Sequence, residues 1–123
     1  MIWLTDKIEF PPYEFTTNDG IIALGGDLSE ERLIYAYKNG IFPWFSDDDP
    51  IVWYCPFDRM VLFPDEIKIY KSMRKIIHKK EFTITENTVF KEVIYNCKSI
   101  ERNDGLGTWI TNDMEQAYIN LHK

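Results

Sequence analysis

An α+β fold is predicted for this chain, and three observations predict it. Apolar residues recur at helical spacing at Leu33, Ile34 and Tyr37, and again at Met114, Ala117, Tyr118 and Leu121. They alternate with polar ones over residues 81–86, where Phe82 and Ile84 stand against Thr83 and Thr85. Glycine, proline and aspartate punctuate the chain between these runs, so helices and strands are mixed throughout. With 123 residues the chain makes one domain, or one small domain and part of another.

The elements follow in order. Residues up to about Asp19 read as irregular, with Pro11-Pro12 as a rigid extended spacer, and Asp19-Gly20 marks a turn. Ile21-Ile22-Ala23-Leu24 is a short apolar run closed by Gly25-Gly26. A helix follows, capped by Asp27 or Ser29, with Glu30 and Glu31 in its first turn where the helix dipole favours them, and with Gly40 just past its end. Residues 51–54 read as a strand, Pro56-Phe57-Asp58 as a break, and residues 59–63 as a second strand ended by Pro64-Asp65. Residues 70–80 form an amphipathic helix whose apolar stripe is Ile69, Met73, Ile76 and Ile77. The alternating run at 81–86 is a strand with one buried face. Phe90, Val93, Ile94 and Cys97 mark the next helix, 99–107 a polar loop turning at Asp104-Gly105, and Thr111 caps a last helix.

Composition excludes several functions. Hydrophobic residues are 45% and charged residues 28%, so the chain as a whole is not disordered. A net charge of −6 excludes a general nucleic-acid wrapper. No apolar run approaches the roughly 20 residues of a membrane span, and the N-terminus lacks the basic-then-apolar order of a secretory signal. Cys55 and Cys97 are the only cysteines and fit two buried or half-buried thiols in a reduced cytoplasm, with a single disulfide between them the alternative. With His78 and His122 the only histidines, no metal site suggests itself.

Two features stand out. Aromatics are 15%, and Gly40-Ile41-Phe42-Pro43-Trp44-Phe45 sets three of them around a proline, beside the acid-rich turn Ser46-Asp47-Asp48-Asp49-Pro50. Such a run either plugs the space beneath a loop or forms an aromatic wall for a flat ligand such as a base. The stretch from Lys68 to Lys80 holds six basic residues and no acid, leaving eight basic against 20 acidic residues elsewhere, a net −12. Lys71, Arg74, Lys75, His78 and Lys79 share one helical face at i, i+3 and i+4 spacing, where like charges repel; phosphate binding would explain the bias. Gly25-Gly26-Asp27 reads as a tight turn and cap rather than a phosphate loop, because Asp27 would repel an anion. Neither Ser46 nor Ser72 belongs to a readable nucleophile motif with a histidine.

These motifs together resemble the bacterial leucyl/phenylalanyl-tRNA–protein transferases. The matching pieces, in family order, run from Gly20 to Ser29, from Ala36 to Phe45 and from Pro50 to Pro56, then Arg59, Ser72-Met73-Arg74-Lys75, Thr108-Trp109-Ile110-Thr111, Ala117-Tyr118 and Leu121-His122. The resemblance implies transfer of Leu or Phe from charged tRNA to the N-terminal Lys or Arg of an acceptor protein, marking it for N-end-rule degradation in the cytoplasm. The aminoacyl ester is already activated, so no cofactor is implied. It implies an N-terminal transferase domain over 1–58 and the truncated first part of an acetyltransferase-like (GNAT-like) domain over 59–123. Trp44 and Trp109 match tryptophans that contact the aminoacyl end of the tRNA, and Tyr37, Trp53 and Tyr118 match neighbouring aromatic positions. Lys71, Arg74, Lys75, His78 and Lys79 match the patch that meets the tRNA backbone. Tyr54 stands where the family usually has a second Trp, and Cys55 where it has Ser.

Family members continue for roughly as long again and carry their catalytic Asp and Gln there. No catalytic residue is therefore expected in this chain, nor transfer by these residues alone, and an exposed strand edge would invite dimerisation. A non-catalytic module that binds a tRNA or RNA end would use the same residues. A protein-interaction domain, by contrast, would bury Trp44 and Trp109 fully and hold them far apart.

Overall fold

The computed structural model describes residues 1–103 and 107–123. The turn expected at Asp104-Gly105 lies outside the described residues. The chain divides into two units, Met1–Phe57 with Phe90–Lys123, and Asp58–Val89.

The first unit is mixed α and β. Its sheet has the order β1-β2-β4-β3, with β1 at Trp3–Leu4, β2 at Ile21–Gly25, β3 at Phe42–Pro43 and β4 at Val52–Tyr54. β1 runs parallel to β2, pairing Trp3 with Leu24, within a stretch whose sequence alone reads as irregular. β2 and β4 are antiparallel, with Ala23 opposite Trp53, and β3 pairs antiparallel with β4, with Pro43 opposite Trp53. Proline lacks a backbone donor and is tolerated in β3 because that strand forms an edge.

Helix α1 spans Glu30–Lys38. Of the two candidate caps, Ser29 holds the position: its hydroxyl accepts from the Arg32 amide at 3.3 Å, while Asp27 Oδ1 accepts from the Ser29 amide at 2.9 Å. The helix ends as its sequence predicts. Gly40 takes a positive φ of 71°, its amide donates to Tyr37 O, and the Ile41 amide donates back to Ala36 O. Leu33 and Ala36 face Ile22, Ala23, Ile41 and Trp53 in the core, joined by Ala117 from α4 (Asn112–His122). The Trp53 indole N–H donates to Gly25 O at 2.9 Å, and Phe10 meets its ring edge-on. Thr111 caps α4 by accepting from the Met114 amide. Helix α3 (Phe90–Ser99) is tied to α4 by Lys98, which donates to Glu115 at 2.6 Å, and by the Phe90 and His122 rings stacked 4.2 Å apart.

Arg32 is the least expected member of this core. It is fully buried, its guanidinium donating to Thr5 O at 2.7 Å, Lys7 O at 3.1 Å and Asp27 Oδ2 at 3.3 Å. A side chain at Gly26 would press against that guanidinium at 3.2 Å.

The second unit contains helix α2, Lys71–Lys79, ended by Lys80 in the left-handed conformation at φ 50°. Every residue of this unit is exposed except Ile76, which is half-buried. Two expectations are corrected here: neither 59–63 nor 81–86 is a strand. Alternation gives a strand two faces but not a neighbouring strand to receive its N–H and C=O groups, and among the described residues neither segment lies in a ladder. The stripe of Ile69, Met73 and Ile77 is likewise solvent-exposed. Cys55 is half-buried as expected, but Cys97 is exposed on α3; both are free thiols.

Arg32→Ala removes three hydrogen bonds and leaves a void where a fully buried side chain stood, so it should cost about 3 kcal/mol or more in urea unfolding. Burial raises the Asp27 carboxyl's pKa, but hydrogen bonds from Ser29 and Arg32 outweigh it and hold the pKa below the usual carboxylate value. That contribution is therefore present above the unfolded carboxyl's pKa and lost as pH falls through the lower native one. Asp27→Asn should reduce stability at pH 7 and have little effect in strong acid.

Candidate functional site

The aromatic run after α1 begins where Gly40 turns the chain. Ile41 is buried beneath it, and Phe42 and Pro43 form β3, which β4 fixes by pairing. Trp44 leaves the strand with its amide donating to Val52 O at 2.9 Å. Tyr54, on β4, stacks on Phe42 with centroids 5.9 Å apart and tilts against Trp44 at the same distance. Trp109 comes from the other end of the chain and is anchored by Ile110 and Thr111, both buried.

Phe42, Pro43, Trp44 and Trp109 line a cavity of about 320 Å³. Trp44 is 55% exposed and Trp109 41%. The fully buried, widely separated tryptophans of an interaction domain are not what the structure shows. Among the described residues, the cavity wall carries no charged group. It offers aromatic faces on which a flat, uncharged ring can stack, with the indole N–H groups as its side-chain donors.

Tyr37 on α1 and Tyr118 on α4 meet edge-on, centroids 6.3 Å apart, and their hydroxyls share a short hydrogen bond. Burial first, and then the bond with Tyr37, push the Tyr118 phenol well above its usual pKa. Both residues stand outside the four described residues that line the cavity. Trp53, expected as a neighbouring aromatic position, is 0% exposed: its ring is core, and it backs the strand pair that presents Pro43. Phe42 and Pro43 join the wall beside the two expected tryptophans; their signal is the aromatic–proline run itself.

Lys71, Arg74, Lys75, His78 and Lys79 are all exposed along α2. Lys79 lies 3.8 Å from Glu81, and Arg74 donates to Ile69 O at 3.4 Å. Among the described residues, no group of three or more His, Cys, Asp or Glu side chains is placed to hold a metal ion, and no helix is long and apolar enough to cross a membrane.

The model of the leucyl/phenylalanyl-tRNA protein transferase family matches residues 61–123, just over half of the chain. The chain belongs to that family. The model of the family's N-terminal domain matches residues 26–56. A leucyl/phenylalanyl-tRNA–protein transferase of Flavobacterium johnsoniae is 54% identical over the whole of this chain and 58% of its own length. One of Flavobacterium psychrophilum is 50% identical over the same shares, and one of Syntrophus aciditrophicus 50% identical over 94% of this chain and 48% of its own. The chain thus spans about half the length of the curated relatives it matches.

Within this family chain the tyrosine pair offers a direct check. Tyr37→Phe removes one of the causes that raise Tyr118, so the Tyr118 phenol should titrate at lower pH in ultraviolet absorbance titration. It should remain above the ordinary tyrosine value, because burial is the larger cause.

Proposed function

We propose that this chain supplies the aminoacyl-end pocket of an aminoacyl-tRNA–protein transferase. The enzyme moves Leu or Phe from charged tRNA to the N-terminal Lys or Arg of an acceptor protein, in the cytoplasm, for N-end-rule degradation. The carrying observation is the aromatic-walled cavity in which Trp44 and Trp109 converge from distant parts of the sequence. The terminal adenine of a tRNA is a flat ring suited to such walls, and stacking of a base on an aromatic side chain contributes about 1–3 kcal/mol. Tyr37 and Tyr118 act as positioning residues, locking α1 to α4 through a bond between two neutral hydroxyls. Trp53 supports the wall from the core without meeting the ligand.

The exposed cations of α2, namely Lys71, Arg74, Lys75, His78 and Lys79, hold the tRNA backbone, which positions the acceptor stem without reading its sequence. The ester bond to be broken is already activated, so the reaction needs a base for the incoming amine and donors for the oxyanion, not a cofactor. Those groups are assigned to the portion of the longer relatives that this chain does not cover. Residues 1–58 form the N-terminal domain and residues 59–123 begin the GNAT-like one; the two family matches, at 26–56 and 61–123, support that division. A second copy of the chain is a further proposed partner.

Calorimetric binding of an adenosine that carries phenylalanine through a stable amide should weaken tenfold or more with Trp44→Ala or Trp109→Ala. Unchanged affinity in both would remove the pocket from the reading. The double change Lys71→Glu with Lys75→Glu should weaken tRNA equally across acceptor-stem sequences. It should also flatten the salt dependence by about one unit for each phosphate that is no longer neutralised. Binding of the small adenosine ligand should be unaffected.

A further inference from the structure

Trp44 is the wall residue with the most open ring, more than half of it facing solvent. Its backbone is fixed by the bond from its amide to Val52 O, but a backbone bond leaves the side-chain torsions of an open residue free to change. The ring that meets it is that of Tyr54, 5.9 Å away and tilted by 50°. Strand register creates this meeting. Phe42 stands directly opposite Tyr54 in the β3–β4 pair, and Trp44, two residues further on, falls diagonally across from it on the same face. Pro43, between them, is buried opposite Trp53. Phe42 stacks on Tyr54 with the two rings within 20° of parallel. Half-buried Tyr54 thus touches two members of the wall, yet is not among the four described residues that line the cavity.

We infer that Tyr54 is a positioning residue: braced by Phe42, its ring holds the Trp44 indole at the angle that receives a flat ligand. This rests on the pocket reading given above. An open indole without such a neighbour samples several rotamers, and a ligand that stacks on it must first select one, which weakens binding. An indole already held in place binds without that loss. Tyr54 therefore acts on the ligand only through Trp44. What it must supply is a ring face, so other aromatic residues can serve in its place.

The test is a cycle of variants, read by calorimetric binding of the adenosine that carries phenylalanine through a stable amide. Tyr54→Ile puts a β-branched residue suited to a strand at this position and should weaken binding about three- to tenfold. Tyr54→Phe and Tyr54→Trp should keep the affinity of the unaltered chain. Added to Trp44→Ala, Tyr54→Ile should cause no further loss beyond about a factor of two, because the residue it works through is already gone. In the ligand-free chain, Tyr54→Ile and Trp44→Ala should each diminish the same tryptophan signal in near-ultraviolet circular dichroism, with helix content unchanged. Tyr54→Leu replaces Tyr54→Ile if the latter does not fold. Binding that weakens with Trp44→Ala but not with Tyr54→Ile overturns the inference and leaves the pocket standing. So do losses that add in the double variant, a loss as large in Tyr54→Phe as in Tyr54→Ile, or a tryptophan signal undiminished in Tyr54→Ile. Binding indifferent to both Trp44→Ala and Trp109→Ala removes the pocket, and the inference with it.

Discussion

The guanidinium of Arg32 organises the first unit. A charge sealed from solvent needs acceptors for its donors, and here the two terminal nitrogens find them in three places, the carbonyls of Thr5 and Lys7 and the carboxylate of Asp27, while the buried Nε has none among the described residues. One side chain on α1 therefore pins the N-terminal segment, the turn before the helix and the helix itself. The bond to Thr5 holds the chain immediately after β1, whose pairing with β2 is short. Gly26 follows from the same fact. The backbone at that turn has a φ of 76° and passes against the guanidinium, so a side chain there would meet both strain and a collision.

The cavity depends on this arrangement at one remove. β2 sets the register of β4, β4 sets that of β3, and β3 delivers Phe42, Pro43 and Trp44 to the wall. Trp53 couples the steps, since its indole bonds to Gly25 at the end of β2 while its backbone stands opposite Pro43. The side of the wall that carries Phe42, Pro43 and Trp44 is held by strands and core. That is the condition for stacking a ring without first ordering the side chains that receive it.

Much of the first unit is legible in the sequence because its signals are local. A serine cap, acids in the first turn and a glycine three residues past the last stripe position fix α1 at both ends, and Thr111 does the same for the start of α4. The aromatic run and the basic stripe are visible as unusual composition. Three things are not legible, each for a non-local reason. β1 exists because β2 offers it an edge, and nothing within Met1-Ile2-Trp3-Leu4 announces that. The convergence of Trp109 on Trp44 depends on α4 packing against α1, which no spacing encodes. Trp53 reads like any other tryptophan of a pocket until its burial is known. The failed strands show the converse: a local pattern does not become a ladder without a second chain segment to pair with.

The four tryptophans occupy unlike surroundings, and this gives the molecule a built-in optical ruler. Trp53 is sealed in the core with its N–H satisfied by a carbonyl, whereas Trp44 and Trp109 are open to solvent and Trp3 lies over Gly25 with its ring largely exposed. A sealed indole emits toward the blue and is shielded from dissolved quenchers; open ones emit toward the red and are quenched. One emission spectrum thus contains two separable reports: the blue component follows the integrity of the core, and the red component follows the cavity mouth together with the N-terminal strand. A small molecule that changes only the red part has touched the surface of a protein whose interior stayed intact.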